Sequence, residues 1–243
     1  MIKKDNLPIV DLNHHVLTDT DGIIHHLNPN EFWYITPKSP ENNLDKVQYY
    51  TNIPFLLHNT FLGKGIAPAM TDLLKGISIN QCQENNKVKQ KVEEIFERIR
   101  SNEYSHRPSR LRCYFLSLSK EVAEERFKDW NKYSDDSHII VKCYLILSSG
   151  KYHLANISEY EEATKKDAIS TIEEYARSYW EGVTEADTLD KRIELLADSA
   201  LYFPDWNNFP KIELTNLNLD KELKRKIEIF TDKGGWEQYI SKI

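Results

Sequence analysis

The sequence predicts an α+β fold, and three observations carry that expectation. Strand-like and helix-like segments mix along the 243 residues without the regular alternation of a doubly wound parallel sheet. The segment Lys87–Arg100 repeats Val88, Val92, Ile95 and Ile99 at helical spacing, with charged residues between them. The segment His138–Leu147, "HIIVKCYLIL", is a strong strand of β-branched and aliphatic residues.

The remaining elements follow in chain order. Residues 1–30 are polar and rich in turn formers, and "DTDG" at Asp19–Gly22 reads as a turn. "EFWYIT", Glu31–Thr36, combines β-branched and aromatic residues and stops at Pro37, so a strand is expected. "NIPFLLHNTFLGKGIAP" fits neither period cleanly. After the first helix, "SNEYSHRPSR" reads as a loop and "LRCYFLSL", Leu111–Leu118, as a strand. Ser119 is placed to cap the next helix, with Glu121 near its positive end and Val122, Ala123, Phe127 and Trp130 as its apolar face. Ser158 and Glu161 match a capping box before a helical region with a stripe of Ile169, Ile172, Ala176 and Tyr179, ended by Gly182. "KRIELLADSALYF", Lys191–Phe203, reads mostly as a strand. The tail suggests a helix capped by Asp220, with Leu223, Ile227 and Phe230, and a last segment anchored by Trp236 and Tyr239.

Composition excludes several classes. The hydrophobic share of 40% and charged share of 29% fit a globular chain, and no run of residues is long and apolar enough for a membrane helix. "MIKKDNLPIVDLNHH" starts basic but lacks a following apolar run, so a secretory signal is not expected. Cys82, Cys113 and Cys143 are odd in number and widely spaced, which suits reduced thiols and a cytoplasmic location. A net charge of -6 gives no general electrostatic case for nucleic-acid binding. "GKG" at Gly63–Gly65 lacks the spacing and hydroxyl residue of a phosphate loop.

Candidate chemistry is sparse. His14-His15 and His25-His26 point their neighbours apart and stand in no metal-ligand spacing, so no metal site is expected. No G-x-S-x-G elbow supports a serine hydrolase. "HRPSRLR" places three arginines, Arg107, Arg110 and Arg112, within six residues. Such forks suit phosphate, but on spacing alone a solvated loop of salt bridges is the favoured reading. Ser117 and Ser119 end the following strand, where they can bond a ligand or cap the helix. The aromatics of "FWYITP" and the pair Tyr179-Trp180 suit either a packed core or stacking on a flat ring. In the late strand, Ile193, Leu195 and Ala197 share one face, and Glu194, Leu196 and Asp198 the other. Leu196 marks that second face as more than solvent, which raises the question of what Glu194 faces.

Three blocks together resemble ADP-ribosyltransferase-like domains of the diphtheria-toxin and poly(ADP-ribose) polymerase side, in a bacterial family of that kind. They are "FWYITPKSPENNL", "RPSRLRCYFLSLSKEVAEERF" and "KRIELLADSALYF", in the order that fold uses. The resemblance implies a split β-sheet core with flanking helices over residues 31–214. Residues 1–30 would then be an N-terminal extension and 215–243 a helical tail, in one domain. It implies cleavage of NAD, as substrate, at the nicotinamide-ribose bond, and transfer of ADP-ribose to an acceptor that the sequence does not name. It assigns the catalytic acid to Glu194 and NAD contacts to Tyr34, Thr36, Arg110, Arg112, Ser117, Ser119 and Tyr179. Where the family has a ribose-binding histidine, this chain has Tyr34, and a shift of register would give that role to Trp33 or Thr36. The departure at Tyr34 favours a catalytically silent binding module of the same fold, for a protein or nucleic-acid partner. The retained Glu194 favours an active enzyme. An unrelated α+β domain is the third reading.

Overall fold

The computed structural model describes residues 9–18, 22–37, 65–73, 75, 87–131, 138–147, 150–183, 192–205 and 208. The expected tail helix, the anchors Trp236 and Tyr239, most of "DTDG", most of the ambiguous segment and Cys82 lie outside them.

Ten strands and five helices are described; they mix without regular alternation and every strand pairing is antiparallel, which makes the fold α+β. β1 (Ile9–Asp11), β2 (Val16–Thr18) and β3 (Ile24–His26) form a small antiparallel sheet. The larger sheet contains β4 (Phe32–Pro37), β5 (Ile66–Ala67), β6 (Tyr114–Ser117), β7 (His138–Leu145), β8 (Lys151–Asn156), β9 (Ile193–Asp198) and β10 (Leu201–Tyr202). Its order is β5-β10-β7-β4-β6-β9-β8, and every pairing is antiparallel. The helices are α1 (Met70–Leu73), α2 (Lys87–Glu103), α3 (Lys120–Asn131), α4 (Ile157–Ala163) and α5 (Ile169–Glu181). Among the described residues no helix is long and apolar enough to cross a membrane.

Side-chain alternation divides the core in two. One face of the large sheet presents Tyr34, Tyr114, Leu116, Val141, Leu195 and Ala197, which pack with Leu17 of the small sheet, Leu27 just after it and Met70 of α1. The other face presents Ala155 and Leu196, which pack under Val92, Ile95, Phe96 and Ile99 of α2 and Ile172, Ala176, Tyr179 and Trp180 of α5. In α2 and α5 the stripes read from the sequence are the buried stripes, apart from Val88 and Ile169, which lie exposed at helix starts, whereas in α3 Ala123 is buried and Val122 and Phe127 are half-buried. Trp180 ties α5 to α2 by donating its indole N–H to the Phe96 carbonyl at 2.9 Å. Truncating a side chain as buried as Phe96 costs about 3–5 kcal/mol in a typical core. α3 packs over β4, β6 and β7 beside these helices.

Three local expectations are corrected. The strand expected from Leu111 begins at Tyr114, because Ser109 accepts the Leu111 N–H through its side chain and turns Arg110–Arg112 into a 3-10 helix. The cap of α4 is Asn156, whose side chain accepts from Ser158 N–H, so Ser158 and Glu161 fall inside the helix. The helical region itself is two helices, broken between Ala163 and Ile169. Ser119 caps α3 as expected, accepting the Val122 N–H at 3.2 Å. Gly182 ends α5 with φ +91, a left-handed conformation that favours glycine.

Candidate active site

Glu194 is the second residue of β9, and its alternation with Ile193 and Leu195 turns it toward the helix layer. The surrounding residues make that burial tolerable. The Tyr179 hydroxyl, from the last turn of α5, donates to Glu194 Oε1 at 2.8 Å. Arg110, from the 3-10 turn, donates one N–H of NH1 to the same oxygen at 3.1 Å, and another to the Tyr179 hydroxyl. Among the described residues no hydrogen bond reaches Glu194 Oε2. The carboxyl is thus held by one oxygen only.

Arg110 is itself fixed from several sides. Its Nε faces the Glu93 carboxylate of α2 at 3.3 Å. Its guanidinium carbon lies 4.2 Å from the centre of the Tyr160 ring, 4.9 Å from Phe115 and 5.0 Å from Tyr179. Its side chain is only 8% exposed, against 5% for Glu194 and 16% for Glu93. Burial opposes the charge on Arg110, but Glu93, Tyr179 and Glu194 outweigh it and hold the pKa well above the usual arginine value. The Tyr179 phenol is pushed far up by burial and by Glu194, against the pull of Arg110. It remains a neutral donor. Two carboxyl groups share one guanidinium, so the cluster is anionic by one charge when both are ionised.

The rest of that sheet face is set by register. Trp33 of β4 stands opposite Ser117 of β6, and Phe115 opposite Leu196 of β9. Continuing the alternation puts Trp33, Ser117 and Glu194 on one face of three adjacent strands. Ser117 is buried. Lys120 of α3 approaches the Trp33 ring at 5.9 Å, and Arg126 of α3 donates to the Ile193 carbonyl at 3.0 Å, which anchors the start of β9.

The predicted site residues are therefore not all brought together. Arg110 and Tyr179 contact Glu194 directly. Tyr34 pairs across to Leu116, in the opposite core, where its ring meets Tyr114 edge-on at 5.8 Å. Burial drives its phenol pKa well above the usual value. Thr36 shares that face two residues on and is buried too. Neither lines the surroundings of Glu194, because strand parity turns them away. Ser119 is committed to the α3 cap. Arg112 lines a cavity on the outer side of the 3-10 turn. Arg110 is engaged by two carboxylates rather than presented to a phosphate.

Sequence reasoning missed Glu93, Phe115 and Tyr160 as members of the cluster. Glu93 reads as a solvated helix residue, and its place beside Val92 and three residues before Phe96, at the edge of the apolar stripe, was the available signal. Phe115 lies within the expected strand "LRCYFLSL" and Tyr160 between Ser158 and Glu161, and neither stands out there. Cys113 and Cys143 are buried free thiols whose pKa values burial pushes up, so neither is an activated nucleophile. His14 bonds Asp11 at 2.7 Å on the surface, and His25 is buried in β3 while its neighbour His26 is exposed.

No curated protein matches this chain. A family model does match, over residues 44–201, a span that begins after β4 and its Tyr34 but contains Glu93, Arg110, Tyr179 and Glu194. The chain belongs to that family, described as a protein of unknown function (DUF2441).

Proposed function

We propose that this chain cleaves NAD at the nicotinamide-ribose bond, as an ADP-ribosyltransferase-like enzyme with Glu194 as its acid. The observation that supports this reading is the asymmetric hold on Glu194: Tyr179 and Arg110 both bind Oε1, and Oε2 accepts no hydrogen bond from the described residues. A carboxylate fixed by one oxygen can offer the other to a ribose hydroxyl. The bond from the ribose anomeric carbon to the nicotinamide nitrogen breaks with its electron pair leaving on nicotinamide. The sugar then carries oxocarbenium character, which a nearby carboxylate stabilises. The acceptor's lone pair forms the new bond to that carbon, and its proton leaves to solvent or a base. Arg110 and Tyr179 are positioning residues in this scheme. Trp33 and Ser117, on the face that Glu194 shares, supply the contacts first expected of Tyr34 and Thr36.

The test is NAD consumption with host-lysate acceptors, for the parent chain and Glu194→Gln, beside thermal unfolding of both with and without NAD. The expected result is NAD-dependent stabilisation of both proteins and a fall in turnover of about a hundredfold or more in the variant. Equal turnover would remove Glu194 from the chemistry. One observation favours a second reading: the Glu194 side chain is only 5% exposed. A catalytically silent binding module of the same fold would keep the cluster for structure alone. In that case neither protein consumes NAD.

A further inference from the structure

The 3-10 turn that aims Arg110 at Glu194 turns its other side to a cavity of about 520 Å³. Arg100, Arg107, Arg112 and Lys151 line it, with only Glu97 and Asp198 as acids, so formal cations exceed anions by two. Both acids are already spent on the protein. Glu97 accepts from Arg100 at 2.6 Å and 3.0 Å and from the Ser109 hydroxyl at 2.9 Å. Asp198 accepts the N–H and hydroxyl of Thr71 at the start of α1. Arg100 completes its set by donating to the Arg107 carbonyl at 3.1 Å.

Three cations remain on the wall, Arg107, Arg112 and Lys151. Arg107 Nε is buried with no hydrogen-bond partner among the described residues. Lys151 Nζ makes one long bond, 3.3 Å, to the Ser105 carbonyl. Neither Arg107 nor Lys151 is paired with a carboxylate among the described residues, and an anion with several oxygens in the cavity would meet both on its wall. We infer that this cavity binds the phosphate group of a small phosphorylated molecule, with Arg107 as its fork and Lys151 as its second cation. A phosphate dianion matches the surplus of two positive charges. The volume exceeds a bare phosphate and falls in the range of small-molecule sites, and Pro108 and Leu111 give it apolar wall for the rest of the ligand. The net charge of -6 argues against a long polyanion as occupant.

The site is distinct from Glu194. Asp198 lies four residues further along the same strand face, about 13 Å away at the usual strand rise. The inference stands whether or not the chain cleaves NAD, and its test runs on both the parent and Glu194→Gln. Thermal unfolding of the full chain is followed against inorganic phosphate, ribose 5-phosphate and AMP, with chloride at matched ionic strength as reference. Saturable stabilisation by phosphate over chloride is expected in both proteins. Arg107→Ala and Lys151→Ala should each weaken it about tenfold or more. Arg177→Ala, which breaks the exposed pairs with Glu103 and Glu173 away from the cavity, should leave it unchanged. A stronger effect of AMP than of the other two identifies a nucleotide, and equal effects identify the phosphate group alone as what is recognised. No saturable effect over chloride, or full retention of it in folded Arg107→Ala and Lys151→Ala, overturns the site.

Discussion

Replacing Arg110 by methionine strands a buried carboxyl, whereas replacing Glu194 by glutamine does not strand Arg110. The asymmetry follows from the partners. Arg110 has two carboxylates, Glu93 and Glu194, but Glu194 has one cation. In Arg110→Met, Glu194 keeps only the Tyr179 hydroxyl as donor, at a position 5% exposed. Removing one partner of such a buried pair costs about 3–5 kcal/mol. Glu93, more exposed, rehydrates more readily. In Glu194→Gln the side-chain oxygen still accepts from Tyr179 and Arg110, and Arg110 still faces Glu93. The bond from Tyr179 becomes an ordinary one while that from Arg110 keeps its charged donor, and the desolvation cost of one carboxylate disappears, so the net loss should be about 1 kcal/mol. The sharper consequence is a reversal of sign. In the Arg110→Met background, Glu194→Gln removes an uncompensated buried charge and should restore about 1–3 kcal/mol. Urea unfolding of the parent, both single variants and the double variant at pH 7 measures all four values. If the double variant is less stable than Arg110→Met, Glu194 is not an uncompensated charge there, and the account of the cluster fails.

Three further outcomes follow from the same structure. Tyr179→Phe deletes the hydroxyl that bridges Arg110 and Glu194, which should cost about 1–3 kcal/mol in urea unfolding and lower NAD turnover through misplacement of Glu194. An unchanged unfolding midpoint would show the bridge to be idle. His153, stacked on Trp180 and donating to the Tyr179 carbonyl at 2.9 Å, has its pKa lowered to about 4, mainly by burial. Its folded pKa lies below the unfolded value of about 6.5, so its contribution is intact above that pH and declines as pH falls toward 4, by at most about 1.4 kcal/mol per pH unit. His153→Gln should flatten this slope, and an equally steep slope in that variant would assign the acid lability to other groups. Gly182→Ala places a Cβ 2.7 Å from His153 Cε1 and 2.9 Å from the Leu154 carbonyl oxygen at a φ of +91, so a loss of about 2 kcal/mol or more is expected in thermal unfolding.

The sequence carried some of this and concealed the rest for identifiable reasons. Alternation in "IELLAD" correctly separated Leu195 and Ala197 from Leu196, because a strand between two packed layers needs apolar residues on both sides. It could not say what Glu194 would meet, since Arg110 and Tyr179 are 84 and 15 residues away in the chain. The register of β4 against β6 decided the place of Tyr34, and a register depends on a partner strand that composition does not name. β8 escaped notice because Lys151 and Tyr152 are exposed and only His153 and Ala155 are buried, which weakens the strand signal. Asn156 outcompeted Ser158 as a cap because the strand runs into the helix without a loop, and a helix takes the first side chain able to accept its free N–H.

The position of β9 between β6 and β8 also governs how the molecule can be made. Both neighbours precede it in the chain, and among the described residues β8 has no other strand beside it in the sheet. During synthesis, β8 must wait without a partner until residues 193–198 have emerged, while β6 shows one open edge. Open edges of this kind are where nascent chains stick to one another. A fragment that stops before residue 193 lacks β9 and β10 and leaves β8 and β5 without their partners in the described sheet, and it loses the acid that the helices close over. A molecule that carries a formed Glu194 cluster has therefore already placed β9 between β6 and β8.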